Sequence, residues 1–145
     1  MMLICGYSGI GKTTYCKTHA NAYDLDSSTF GKIKNWEAEY IRHAQMLAVQ
    51  GKAVFISAHK EVIEYLQRNN IPFILAIPAE NREVWELRLK LRYAQTHAEY
   101  ALNALRDFYK NFDDDMKFYY SLKGVKIIRV TCKVQTTLAN ELENC

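Results

Sequence analysis

Near the amino terminus, Gly6-Tyr7-Ser8-Gly9-Ile10-Gly11-Lys12-Thr13 satisfies the pattern GxxxxGK[ST] in full. Glycines at this spacing let a backbone curl so that successive N–H groups point inward, and such a set of N–H groups is a cradle for phosphate. The helix expected to follow adds its own unsatisfied N–H groups and the positive end of its dipole. In a loop of this kind Gly6, Ser8, Gly9, Ile10 and Gly11 supply the cradle, with Thr14 beside it. Lys12 reaches the β- and γ-phosphates, and the Thr13 hydroxyl holds Mg²⁺. A nucleoside triphosphate with Mg²⁺ is the ligand this pattern implies.

Phosphoryl transfer asks for two further groups, one to orient an acceptor hydroxyl and take its proton, and one to steady Mg²⁺ through water. Asp24-Leu25-Asp26 follows a short apolar run. In extended chain, alternate residues point to one side, so both carboxylates can face one site. Asp26 suits proton acceptance and Asp24 the metal, with the reverse assignment open. Equally open is a plain capping loop in Asp24-Leu25-Asp26-Ser27-Ser28. GTPases and motor ATPases carry a magnesium carboxylate at the end of a further strand. Here Val54-Phe55-Ile56 runs into Ser57-Ala58-His59-Lys60, and Ile77-Pro78-Ala79-Glu80 puts its acid beyond a proline. No NKxD guanine signature occurs.

Cations are needed on the charge that develops during transfer. Arg88 and Arg92 stand i, i+4 and flank the stripe Val84, Leu87 and Leu91. That placement predicts a packed stripe with two guanidiniums reaching the phosphates, bidentate geometry being available to each. Arg82 and Lys90 are further candidates, Lys90 on a different face; the bland alternative is a solvated basic face paired with Glu83 and Glu86. His59 and Lys60 suit an acceptor's phosphate or base, and Ser57 is either a polar contact or a helix cap. Trp36, Tyr40, Tyr119 and Tyr120 could stack a base, though aromatics at helical spacing more often belong to a core. Asp113-Asp114-Asp115 looks like an acidic ligand cluster but reads more simply as the decoration of a helix start.

Strand ends must meet for these groups to converge. Met2–Cys5 is apolar and closed by Gly6, and a helix is expected from Gly11-Lys12-Thr13 to about Ala20. Ala22–Asp24 and Ala53–Ile56 read as strands, and Phe73–Ile77 as another bracketed by Pro72 and Pro78. Between them, Trp36, Tyr40, Ile41, Ala44, Leu47 and Ala48 keep helical spacing until Gly51. Val62, Ile63 and Leu66 mark a helix ending near Asn69-Asn70. Arg82 to Tyr109 is helical with a break near Gln95–His97, its second stripe being Ala98, Ala101, Leu102, Leu105 and Phe108. Phe112, Met116 and Tyr119 or Tyr120 suggest a separate short helix, followed by Gly124, a strand at Lys126–Val130 and a closing helix at Gln135–Glu143. Alternation at this length predicts one α/β domain over residues 1–145, a parallel sheet with helices on both faces.

Composition agrees. The chain has 145 residues, 49% hydrophobic and 24% charged, enough apolar material for a core and too much for disorder. A formal charge of +3, not gathered in one run, gives no electrostatic footprint for duplex nucleic acid. Cys5, Cys16, Cys132 and Cys145 have neither CxxC pairing nor zinc spacing, which suits thiols in a reducing compartment. The first apolar run is far too short for a membrane span and lacks a basic leader, so a soluble cytoplasmic protein is expected.

Taken together, GYSGIGKTT, the DLDSS stretch after it and the arginine-bearing segment after the fourth strand resemble the small P-loop kinases of the nucleoside and nucleotide kinase group, which includes adenylate, shikimate and gluconate kinases. Within that group the chain is similar to short bacteriophage proteins. These share a DxDSS stretch, a segment like Ser57-Ala58-His59-Lys60-Glu61-Val62 and an R-x-x-x-R helix like Arg88 to Arg92. The likeness extends to about residue 122 and is most specific in the glycine-rich loop. It implies a five-stranded sheet in the order 2-3-1-4-5, ATP as donor, a nucleotide or nucleoside as acceptor, a lid near residues 82–100 and, for a phage protein, the host cytoplasm. The lid segment is shorter and poorer in arginine than in typical nucleoside monophosphate kinases.

Overall fold

The structure, a computed structural model, describes residues 2–31, 34–79, 81–131 and 142. Each apolar run identified above becomes a strand: β1 (Met2–Gly6), β2 (Ala22–Asp24), β3 (Ala53–Ser57), β4 (Ile74–Pro78) and β5 (Lys126–Val130). They form one all-parallel sheet in the order β2-β3-β1-β4-β5. Parallel neighbours require crossovers, and helices supply them: α1 (Lys12–Thr18), α2 (Trp36–Val49), α3 (Lys60–Arg68), α4 (Arg82–Thr96) and α5 (Glu99–Ser121). Leu3, Ile4 and Cys5 are buried in succession, as are Val54, Phe55, Ile56 and Leu75, Ala76, Ile77. Successive strand residues point to opposite faces, so these runs mean that both faces of the central sheet are covered. Among the described residues, no helix is long and apolar enough to cross a membrane.

Differences from the sequence expectation have local causes. α1 stops at Thr18 rather than near Ala20, because His19 turns to extended backbone and its ring lies against the Tyr15 carbonyl at 3.0 Å. β4 is shifted one residue toward Pro78, which pairs with Val130 at the strand's end while Ala79 N–H donates to the Val130 carbonyl at 2.8 Å. Proline has no N–H to give the ladder, and the last strand position tolerates that. The break between α4 and α5 falls at His97, whose φ of 51° closes α4 with an N–H bond to the Tyr93 carbonyl at 2.7 Å.

The separate short helix expected around Phe112 is instead the second half of α5, which runs unbroken for 23 residues. Asp113-Asp114-Asp115 therefore lies inside a helix and not at its start. Aspartate is a poor helix former, but Phe108, Phe112 and Tyr119 anchor one face of α5 in the core, and tertiary packing overrides the weak propensity. Glu80, Cys132, Cys145 and all of the Gln135–Glu143 segment except Leu142 lie outside the described residues.

Candidate active site

Because every strand runs the same way, the loops after β1, β2, β3 and β5 open onto one edge of the sheet, the position at which open α/β sheets bind ligands. A cleft of about 1610 Å³ lies there. Register levels its floor, since Gly6 pairs with both Ser57 and Ala76. One wall is the helical hairpin of α4 and α5.

The glycine-rich loop occupies the floor, and residues Gly6 to Thr14 all line the cleft. Gly9 has φ 89° and Gly11 φ 100°, backbone that side-chain-bearing residues avoid. Space adds to conformation. A Cβ at Gly9 would sit 2.9 Å from Leu89 Cδ2, and one at Gly6 would sit 2.7 Å from Ile10 Cδ1. Lys12 folds over the loop with its Nζ 3.4 Å from the Gly6 carbonyl. Burial lowers the pKa of its ammonium, Asp24 raises it, Arg92 lowers it and Asp26 raises it, so all three expected partners lie within electrostatic reach. Thr13 and Thr14 are exposed to the cleft. Cys5, beneath the loop, is fully buried, and burial pushes its thiol well above the ordinary range.

Asp24 ends β2, and the loop after it is fixed at its middle residue. Leu25 N–H donates to the Phe55 carbonyl at 2.9 Å, and the Tyr40 hydroxyl donates to the Leu25 carbonyl at 2.7 Å. The same hydroxyl accepts from Ser57 N–H at 2.8 Å, tying the ends of β2 and β3 together. Tyr40 is thus buried structure and not a base platform, and Trp36 packs at its edge. Asp24 and Asp26 both line the cleft. Asp26 also caps the 3-10 turn Ser27–Thr29, accepting from Ser28 N–H at 2.9 Å and from the Ser28 hydroxyl at 2.8 Å. The capping loop and the paired carboxylates are therefore one structure.

On α4 the structure corrects the expected stripe. Val84, Leu87 and Leu91 are 37%, 57% and 52% exposed and line the cleft, while the adjacent Trp85 and Leu89 are the buried pair. Trp85 docks α4 on the glycine-rich loop, its indole N–H donating to the Ser8 carbonyl at 3.1 Å. Arg88 stacks on that indole at 5.0 Å, with Nη2 4.0 Å from where a Cβ on Gly11 would be. Arg92 stands over Tyr100 at 5.0 Å. Among the described residues neither forms an ion pair, so both present free guanidinium to the cleft. Lys90 pairs instead with Glu86 at 3.3 Å, and Arg82 with Asp113 at 3.2 Å while covering the rings of Phe108 and Phe112.

After β3, Ser57 Oγ accepts from His59 N–H at 3.1 Å, and His59 rather than Ser57 is the residue that caps α3. Lys60 lies over the Phe118 ring at 5.4 Å. Tyr119 is buried, its hydroxyl donating to the Ala58 carbonyl at 2.8 Å, and Tyr120 faces away under Arg129. Tyr119 borders the cleft with almost no exposed surface, and Tyr120 does not line it.

Sequence reasoning did not anticipate α5 as a wall. Asn103, Asp107, Asn111, Asp114 and Asp115 line the cleft from one face of that helix. Their only sequence signal is polar recurrence at helical spacing, which also describes any solvated helix face. Asn111 Nδ2 donates to Asp107 Oδ1 at 2.7 Å. Burial, and then the charges of Asp107, Asp114 and Glu61, push the Asp115 carboxyl up to about 6. No protein-family model matches this chain, and no curated protein matches it.

Proposed function

We propose that this chain is a P-loop kinase, an ATP-dependent phosphotransferase that uses Mg²⁺ and moves the γ-phosphate to a hydroxyl of a nucleotide or nucleoside. A hydroxyl on modified DNA or at a polynucleotide end is the secondary acceptor class. One observation carries the reading: a positive-φ glycine loop with Lys12, the Asp24/Asp26 pair and two unpaired arginines border one cleft at the carboxyl edge of a parallel sheet. The resemblance to small P-loop kinases points the same way.

The donor set fits Mg²⁺. Among the described residues no group of three His, Cys, Asp or Glu side chains is placed to hold a metal ion. Mg²⁺ with a nucleotide needs no such cage, since it draws its ligands from phosphates, water and one or two protein oxygens. Thr13 and Asp24 would supply those oxygens here, and a bound ion would neutralise charge on the phosphates. Asp24 and Asp26 both lie within electrostatic reach of Lys12, and the reading assigns Asp24 to the metal and Asp26 to the acceptor. In the reaction, the acceptor hydroxyl oxygen bonds to the γ-phosphorus, the bond to the bridging oxygen of ADP breaks, and Asp26 takes the hydroxyl proton. Lys12, Arg88 and Arg92 hold the transferring group.

Asp26→Asn tests this assignment. Asparagine retains an oxygen for Ser28 N–H, so the loop and ATP binding should persist while acceptor-dependent turnover drops about 10²–10⁴-fold. Unchanged turnover would sink Asp26 as the base. A second reading, an ATP-binding regulator with little turnover, draws on the engagement of both Asp26 oxygens by Ser28. ATP binding with no acceptor able to accelerate its consumption would favour it.

A further inference from the structure

The helices that line the cleft differ in charge: α1 and α4 bring cations, α3 and α5 bring mostly carboxylates, and Asp24 and Asp26 stand beside Lys12. Lys12, Arg88 and Arg92 border the glycine-rich loop. The region bounded by α5 and the start of α3 instead presents Glu61, Asp107, Asp114 and Asp115 against Lys60, with Lys60 drawn over Phe118. These acids are near one another, since Asp107, Asp114 and Glu61 all act on Asp115. To the same cleft α4 contributes exposed Val84, Leu87 and Leu91, and α5 contributes Asn103 and Asn111.

Each of these features selects against or for a chemical group. A phosphate monoester carries about −1.5 to −2 charge near pH 7 and would meet uncompensated carboxylates on the α5 side. Carboxylates accept hydrogen bonds from sugar hydroxyls, and carboxamides read the mixed donors and acceptors of a base edge. An apolar strip suits the flat face of a base.

Resting on the phosphotransferase reading, we infer that the acceptor is a nucleoside without a phosphate, its base against the Val84/Leu87/Leu91 strip and its polar edges met by Asn103, Asp107 and Asn111. The wall then works as a charge filter. ATP is accepted at the cationic end, and phosphorylated acceptors are rejected at the acidic one. The product, a nucleoside monophosphate, carries the charge that the wall repels, so its release is assisted and a second phosphorylation at the same wall is disfavoured.

The experiment compares kcat/KM for the common ribo- and deoxynucleosides, their 5′-monophosphates and an amino sugar, at low and high salt, in the wild type and in Asp107→Asn/Asp115→Asn. At least one nucleoside should exceed its monophosphate by about tenfold or more at low salt. Any monophosphate reaction should speed up as salt screens the wall. In the double variant, both substitutions being on a helix surface, the ratio should collapse toward parity while ATP affinity holds. Preference for a monophosphate in the wild type overturns the inference but leaves a kinase. Turnover of the amino sugar with every nucleoside inert overturns the nucleoside assignment. If no acceptor of any class is phosphorylated although ATP binds, the phosphotransferase reading fails and the inference falls with it.

Discussion

The two ends of the cleft are built on different principles. At the glycine-rich end the shape is set by backbone: Gly9 and Gly11 hold positive φ, a Cβ at Gly6 or Gly9 would crowd the Ile10 or Leu89 side chain, and the side chains at stake are close together in the chain. At the α5 end, recognition belongs to one face of a long helix, where Asn103, Asp107 and Asn111 recur at i, i+4 and i+8. On the proposed reading, the first kind of site serves a ligand feature common to every nucleoside triphosphate. The second can be rewritten one side chain at a time without disturbing the fold. On the proposed kinase reading, donor chemistry is therefore fixed by conformation and acceptor choice by composition.

The sharpest way to break this contrast is at Lys12. Lys12→Ala removes a cation from the donor end without touching a strand, so transfer should fall by at least about 10³-fold with the thermal midpoint little changed. Measuring ADP formation and melting together separates lost chemistry from lost fold. Next in size is Trp85→Ala, which empties a fully buried site between α4 and the loop and deletes the bond to the Ser8 carbonyl. Denaturant titration should show a loss of about 3–5 kcal/mol, and ATP affinity should weaken with it, because the donor end depends on α4 for its backing.

Arg88→Ala and Arg92→Ala refine the boundary between the two ends. Arg88 lies over the glycine-rich loop, whereas Arg92 stands further along α4 against Tyr100. Loss of Arg88 should lower kcat by about 10²-fold, and loss of Arg92 by a smaller factor, of order tenfold. Equal losses would mean that the two guanidiniums act as a single clamp.

The smallest effect is expected from Asp115. Its carboxyl is raised from 3.8 to about 6, so the folded protein binds that proton more tightly than the unfolded chain does. Its contribution to stability is therefore fully present below about pH 4 and is lost as pH rises through about 6. Asp115→Asn removes the repulsion. Thermal melts should show a small gain at pH 7 and none near pH 4, with a shallower slope between.

Much of the fold was legible because apolar runs and glycine punctuation are local. Ala22–Asp24 and Lys126–Val130 are strands over the residues expected, and the sheet order agrees with that of the resembling kinases. Gly6 to Thr14 were legible for the same reason. Periodicity misled on α4, where it marked an apolar face without saying whether anything covers it. Trp85 and Leu89 took the core, and Val84, Leu87 and Leu91 were left to the cleft. On α5 three consecutive aspartates resembled a helix start, and only the anchoring of Phe108, Phe112 and Tyr119 shows why the helix continues through them. A polar wall on a helix has no local signature, since its meaning depends on what the sheet places opposite.

The central claim, that this cleft transfers phosphate to an acceptor rather than merely holding ATP, is tested most directly with ATP labelled in its γ-phosphate. The labelled donor is incubated with Mg²⁺ and a pool of nucleosides, and the products are separated beside those of Lys12→Ala. The account predicts label in a new nucleoside monophosphate, made by the wild type and absent with the variant. Bound ATP with no labelled product other than inorganic phosphate, across nucleosides, nucleotides and hydroxymethylated DNA, would contradict it.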